Sequence, residues 1–248
     1  MPPPHVLAFR GQDRAERRPG TRASGWAHFV FTSLASLAAV TFALSRVERV
    51  RLLEALVVPA TFLFANLVEY LVHRGPMHRR KKLLAILYER HTLRHHRYFT
   101  HEAMACDTAA DFSIVLFPPV MLLVVLGGVA LPVALLLFAV ATPNTGWLFV
   151  ATAMSYFLTY EWLHFAYHLP EGSRVTRSPL VRALRKRHTL HHDLGRMAHE
   201  NFNITFPLCD WLFGTLGRPK IDDRGGRREA RVARDDDARP STRGDTHA

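Results

Sequence analysis

Cysteine is nearly missing from this chain: its 248 residues include only Cys106 and Cys209. Neither belongs to a C-x-x-C pair, which excludes a disulfide framework, an iron–sulfur cluster and a cysteine-type structural zinc site. Lysine is scarce as well, four against 28 arginines. Acidic residues number 21 against 32 basic ones, for a formal charge of +11. The basic residues follow no RRM, zinc-finger or basic-zipper pattern, so nucleic acid is not the expected partner. Formal charge is wholly missing from residues 112–160, a run of 49. A bilayer span needs only about 20 apolar residues, so this run is too long for a core helix and argues against a soluble enzyme. Hydrophobic residues make up 48% of the chain, which excludes intrinsic disorder for most of it. Mean hydropathy is nevertheless +0.00, so apolar and charged residues must be segregated.

That segregation divides the chain into three parts. Residues 1–25 are rich in Pro and Arg and are expected to form a disordered basic N-terminal arm. Charges recur as far as Arg22 and no small-residue cleavage site follows, unlike a secretory signal. Residues 26–216 are expected to form the membrane domain, and 217–248, dominated by Arg, Asp and Gly, a disordered charged tail. Within the domain, residues 23–45 and 52–72 read as spanning helices. The charge-free run reads as two more, interrupted at Gly127-Gly128, Pro132 or Pro143-Asn144. The expected fold is an all-α integral membrane four-helix bundle of two hairpins, with a helical cap. Arginine gathers in the termini and in the polar regions 73–111 and 161–215. This places those regions and both termini in the cytoplasm, and a bacterial inner membrane is expected in preference to the endoplasmic reticulum.

What the chain does have is histidine. Of 15 His, 12 lie within 73–101 and 164–199. They read as H-x4-H (His73, His78), H-x3-HH (His91, His95, His96), H-x3-H (His164, His168) and H-x2-HH (His188, His191, His192). Residues i, i+3 and i+4 share a helix face. His91 with His95, His164 with His168, and His188 with His191 and His192 are thus expected to point in common directions. His73 and His78 are about 140° apart on a regular helix, so the helix should end between them, at Gly75-Pro76. Neutral imidazole suits iron, zinc, copper and nickel, and ten such nitrogens suffice for two ions. Glu69 and Glu161 each stand one turn before a histidine and are candidates to orient an imidazole by accepting its other N–H. Glu161 with His164 also matches the E-x-x-H element of ferritin-like diiron bundles, but the second copy such a bundle needs is missing. Asp107 and Asp111 read as caps of the third span. His101 and His199 are candidate orienting or gating residues, while His5, His28 and His247 read as incidental. Phe138, Phe149, Met154 and Phe157 read as packing or lipid-facing positions rather than as a substrate path.

At its four boxes the chain resembles the fatty acid hydroxylase superfamily, which includes fatty acid 2-hydroxylases, sterol desaturases and C-4 sterol methyl oxidases. The boxes occur in family order, separated by a hydrophobic pair, over roughly residues 60–216. The segment beginning at Asn201 and the stretch from Asp210 to Thr215 are similar to the family's ending, with Asn203 and Cys209 where Gly and Trp are usual. The resemblance implies ten ligands to a pair of metal ions, normally iron, with zinc an alternative on isolation: His73, His78, His91, His95, His96, His164, His168, His188, His191 and His192. Asn201 joins Glu69 and Glu161 as a candidate to stand around them. The resemblance further implies O2, a lipid substrate hydroxylated or desaturated at a C–H bond, and two electrons from a separate donor. A ferredoxin or a cytochrome b5-like protein with its reductase would serve, since the short polar termini leave no room for a fused donor domain. A carotenoid hydroxylase, which carries similar boxes, is the nearest alternative. A membrane metal transporter is the alternative of another class, but transporters hold ionisable ligands inside their spans, whereas these histidines lie at or beyond span ends.

Overall fold

Prolines and polar side chains decide where each apolar run winds into a helix. The structure, a computed structural model, describes residues 1–17 and 25–218. Helix α1 (Pro4–Glu16) starts on a proline, whose missing N–H costs nothing in a first turn. Helix α2 is Gly25–Ser45. Helix α3 (Leu52–Met77) begins with Glu54 accepting from the Arg51 amide at 2.8 Å, and it winds as a π-helix over His73–Met77. Helix α4 covers 85–98, with π winding over Glu89–His95. After a break at 116–119, enforced by Pro118 and Pro119, α5 covers 120–140 and absorbs Gly127-Gly128 in a π segment, Val124–Ala130. Helix α6 (Pro143–Tyr167) is capped by the Thr142 hydroxyl, which accepts from the Thr145 amide. Helices α7 (Pro179–His191) and α8 (Leu208–Leu212) follow, and a short helix, Phe112–Val115, stands before the 116–119 break. The described residues contain no strand, only an isolated bridge between Thr100 and Ala103.

Three stretches are long and apolar enough to cross a membrane: Gly25–Ser45, Leu52–Met77 and Ala109–Val140, the last running through the 116–119 break into α5. The fourth expected span is the 25-residue α6, whose apolar residues are diluted by Thr145, Thr152, Ser155, Thr159 and Glu161. It packs against α2, α3 and α5 and buries more of its side chains than they do. Close approach at the start of α2 requires Gly25, where a Cβ would fall 1.8 Å from the Ala109 carbonyl oxygen. The expected turn within 112–160 falls at Ala141–Thr142. Buried Glu54 ties this turn to the one before α3, accepting from the Thr142 hydroxyl at 2.7 Å and the Asn144 amide at 3.1 Å. Both turns therefore lie at one end of the helices, and the histidines lie at the other.

The expected disorder of the N-terminal arm needs correction over its first part, while residues 18–24 lie outside the described residues. Residues 4–16 are helical, with Val6 and Arg10 buried. Arg10 and Arg14 pair with Asp107 and Asp111, nearly a hundred residues downstream, and composition alone does not reveal such partners. Asp111 also caps as expected, accepting from the Asp107 and Thr108 amides. Residues 219–248 of the expected tail, with His247, lie outside the described residues.

Candidate metal centre

The winding of each helix decides where its imidazoles point. Gly75 breaks the helical dihedrals at ψ −106°, which brings His73 and His78 together with rings stacked at 5.0 Å. Along α4 the π winding needs more than four residues per turn, so His91 lines up with His96 rather than with His95. All ten histidines of the four boxes are buried. They form two groups of five: His73, His78, His91, His96 and His191, then His95, His164, His168, His188 and His192. Within each group the nearest ring nitrogens lie within 4.8 Å of one another. The expected common direction holds for His164 with His168 and for His188 with His192. It fails for His91 with His95 and for His188 with His191, whose members fall in different groups. Adjacent residues on a helix differ by about 100°, so each His-His doublet serves both groups.

Backbone carbonyls fix the tautomers. His95, His168, His191 and His192 direct Nδ1 at the carbonyls of Ile114 (3.1 Å), Met104 (2.7 Å), Glu200 (2.8 Å) and Phe99 (2.6 Å). His73 does the same to Phe202. A carbonyl only accepts, so these Nδ1 atoms carry the proton and Nε2 keeps its lone pair. The Thr92 hydroxyl donates to the Met77 carbonyl at 2.6 Å and so accepts from His78 Nδ1 at 3.1 Å. Yet the Nε2 atoms of His78 and His191 face each other at 3.0 Å, and those of His95 and His192 at 3.2 Å. Neither member of either pair has a proton to give. Buried acceptors facing acceptors are costly, and a cation between them removes that cost. Imidazole nitrogens about 2.1 Å from one ion at right angles stand ~3 Å apart, which matches the observed spacing. Burial also keeps the rings neutral, as ligands must be. It pushes His95 down to about 3 and His191 to about 4, against partial support from their carbonyl acceptors. The donor set therefore fits two metal ions.

The residues expected to orient imidazoles do something else. Glu69 accepts from the Tyr156 hydroxyl, the Thr205 hydroxyl (2.7 Å) and the Ile204 and Thr205 amides, and Glu161 from the Phe117 amide (3.2 Å). Both accept from backbone amides, Glu69 from two hydroxyls besides, and neither meets an imidazole. Asn201 takes φ +57°, and its side chain accepts from the Gly217 amide. Asn203, where glycine is usual, keeps a negative φ and donates to the Asn66 carbonyl at 3.0 Å, so its side chain is accommodated. His101 and His199 are exposed and outside both groups, and His28 meets the Phe117 carbonyl. Sequence reasoning missed Arg10 and Tyr156, which carry no motif. Asp210, which opens the stretch similar to the family's ending, accepts from the Phe202 and Asn203 amides at 2.9 and 2.7 Å.

Beside the first group lies a largely apolar cavity of about 350 Å³. His73, Met77 and Tyr160 border it at the histidine end, and Phe64, Val129 and Phe149 at the other. Phe138 packs on Gly146, Met154 on Phe157 and Phe149 among Ala130 and Ala134, as expected, and Phe149 and Phe157 also line the cavity.

Comparison with solved structures finds full-length Scs7p, in which only the hydroxylase domain is visible. It is 21% identical, with 82% of this chain and 70% of that chain covered, and the TM-score is 0.55; the likeness extends to the fold. Comparison with curated proteins gives no match. The fatty acid hydroxylase family model matches residues 58–215, well over half of the chain and all ten clustered histidines. The chain belongs to the fatty acid hydroxylase family.

Proposed function

We propose that this chain is a membrane-bound non-haem diiron oxygenase that hydroxylates, or desaturates, a C–H bond of a fatty acyl or sterol-type lipid. The observation that carries this reading is the pair of five-imidazole groups beside an apolar cavity. The ten histidines of the two groups would hold the two ions, with O2 and a ferredoxin or cytochrome b5-like donor as external partners. Ions bound there would supply the activation of O2, with the balance RH + O2 + 2 e⁻ + 2 H⁺ → ROH + H2O.

The protein's own residues do the rest. Carbonyls of Phe99, Met104, Ile114, Glu200 and Phe202 hold five imidazoles by Nδ1, so that every one of those Nε2 lone pairs faces inward. Orientation of this kind is worth about 10–100-fold in metal affinity. The side chains of Val68, Val72, Met121, Val125 and Phe157 accept an apolar chain and exclude water. His73 and Met77 would place the reacting carbon at the cavity's histidine end. Asn201 and Glu69 shape the 201–205 backbone against the first group. In this reading the centre and both termini face the cytoplasm of a bacterial inner membrane. Lipid profiling of cells with and without the gene tests it, with His191→Ala as control. A new lipid species about 16 Da heavier, absent from the control, is the expected result, and unchanged profiles in every lipid class overturn it.

A further inference from the structure

The two histidine groups draw their backbone support from two different loops. For the first group, the carbonyls of Glu200 and Phe202 receive His191 and His73. Their loop is clasped by Glu69 and Asp210, both within the matched family region. For the second group, the loop is 98–106. Its Phe99 carbonyl receives His192 Nδ1 at 2.6 Å and its Met104 carbonyl receives His168 Nδ1 at 2.7 Å. The same loop returns two amides: Cys106 to the His168 carbonyl at 2.8 Å and His101 to the His192 carbonyl at 3.2 Å. Two of the five second-group imidazoles thus depend on this loop's shape.

The clasp on that loop comes from outside the family region. Arg10, on α1, is 1% exposed. Its guanidinium donates from Nε to the Tyr98 carbonyl (2.9 Å), from Nη2 to the Ala103 carbonyl (2.7 Å) and from Nη1 to Asp107 (2.8 Å). It therefore grips the loop at both ends and in the middle, and it lies 5.0 and 5.4 Å from the ring centres of Tyr98 and Phe99. Arg14 extends the grip to Asp107 and Asp111, and Asp111 accepts from the Tyr98 hydroxyl at 2.6 Å. A planar fork that serves three acceptors in three directions is arginine's particular capacity, and lysine does not share it. Burying such a cation is tolerated only when it is fully paired, as it is here.

We propose that Arg10 is a positioning residue for the second histidine group, and that α1 belongs to the support of the metal centre. This inference rests on the diiron reading above. The test uses full-length protein in detergent, Fe(II) added anaerobically, and amide hydrogen exchange of the metal-free protein. Arg10→Met should weaken one of two iron-binding steps by about 10-fold, at the low end for a group that orients a ligand indirectly. Arg10→Lys should fall between Arg10→Met and wild type. Exchange should rise at 99–106 and stay unchanged at 201–205. Backgrounds assign the step. With the second group disabled by His164→Ala, Arg10→Met should leave the remaining iron untouched, and with the first disabled by His78→Ala it should weaken it. Wild-type iron affinity and exchange in Arg10→Met overturn the inference, as does loss of both irons with exchange raised throughout the chain. Wild-type protein that takes up no iron overturns the underlying diiron reading instead.

Discussion

Removal of the Glu69 side chain should damage the first histidine group without touching any histidine. Four donors converge on this buried carboxylate: the Tyr156 and Thr205 hydroxyls and the Ile204 and Thr205 amides. In Glu69→Ala the two hydroxyls keep each other at 2.6 Å, and Tyr156 also keeps Asn66 at 2.9 Å. The two amides keep nothing, since their only acceptor was the missing oxygen. A buried donor left unpaired costs about 1–3 kcal/mol, which sets the loss at about 2–6 kcal/mol. For a chain of this size each kcal/mol lowers the melting temperature by about 2–4 °C, so metal-free Glu69→Ala should melt roughly 10 °C below wild type. Glu69→Gln should be milder. Its amide oxygen still serves the two backbone N–H groups, while its NH2 faces two hydroxyls that can turn to accept, for a loss of about 1–2 kcal/mol. Differential scanning of the detergent-solubilised, metal-free protein measures both. The reasoning is refuted if Glu69→Ala melts with wild type, or if Glu69→Gln costs as much as Glu69→Ala. The latter result would mean that charge, rather than acceptors for the 204–205 amides, is what the site needs.

Three further outcomes follow from the geometry. His95→Ala and His96→Ala, although neighbours in sequence, should each remove a different iron, so each single variant should hold about one ion per chain and their spectra should differ; identical spectra would refute the division into two groups. Acid should destabilise the metal-free protein, because His95 and His191 are held near 3 and 4 when folded, by burial, and titrate near 6.5 when unfolded. Their contribution is fully present above about pH 6.5 and is lost as pH falls towards their folded values. At pH 5.5 the two together cost about 3 kcal/mol, and a melting temperature that holds steady from pH 7.5 to 5.5 would contradict this. Ala153→Phe, filling the cavity beside Tyr156 and Phe157, should cut lipid turnover at least 10-fold while leaving iron content unchanged, at an overpacking cost of about 1–3 kcal/mol; loss of iron instead would show that the cavity wall and the metal centre are not separable.

The ten clustered histidines were legible because their chemistry is carried by residue type and spacing, and both survive in a one-dimensional string. Their division between two groups was not, because it depends on how the helix winds. An α-helix would pair His91 with His95, whereas the π winding of Glu89–His95 pairs it with His96. Three membrane-length helices were legible from their apolar runs, and the turn inside the charge-free run fell at one of its interruptions, where Pro143 follows Thr142. The N-terminal helix was illegible for a different reason. Its composition resembles that of disordered arms, and its order comes from Asp107 and Asp111, which only the folded chain brings near. The same non-local logic explains Glu69 and Glu161. Each stands one turn before a histidine, which suggests a partner for imidazole, but their side chains are spent on the amides of 204–205 and 117. Carboxylates in this centre thus shape backbone, and backbone carbonyls hold rings. That division of labour has an electrostatic consequence. A carboxylate on Nδ1 would push negative charge towards the ligand, whereas a carbonyl fixes the same tautomer with much less. On the proposed reading, two ions held by ten neutral imidazoles would keep nearly all of their positive charge inside a dry site, where it would act at short range on whatever occupies the adjoining cavity.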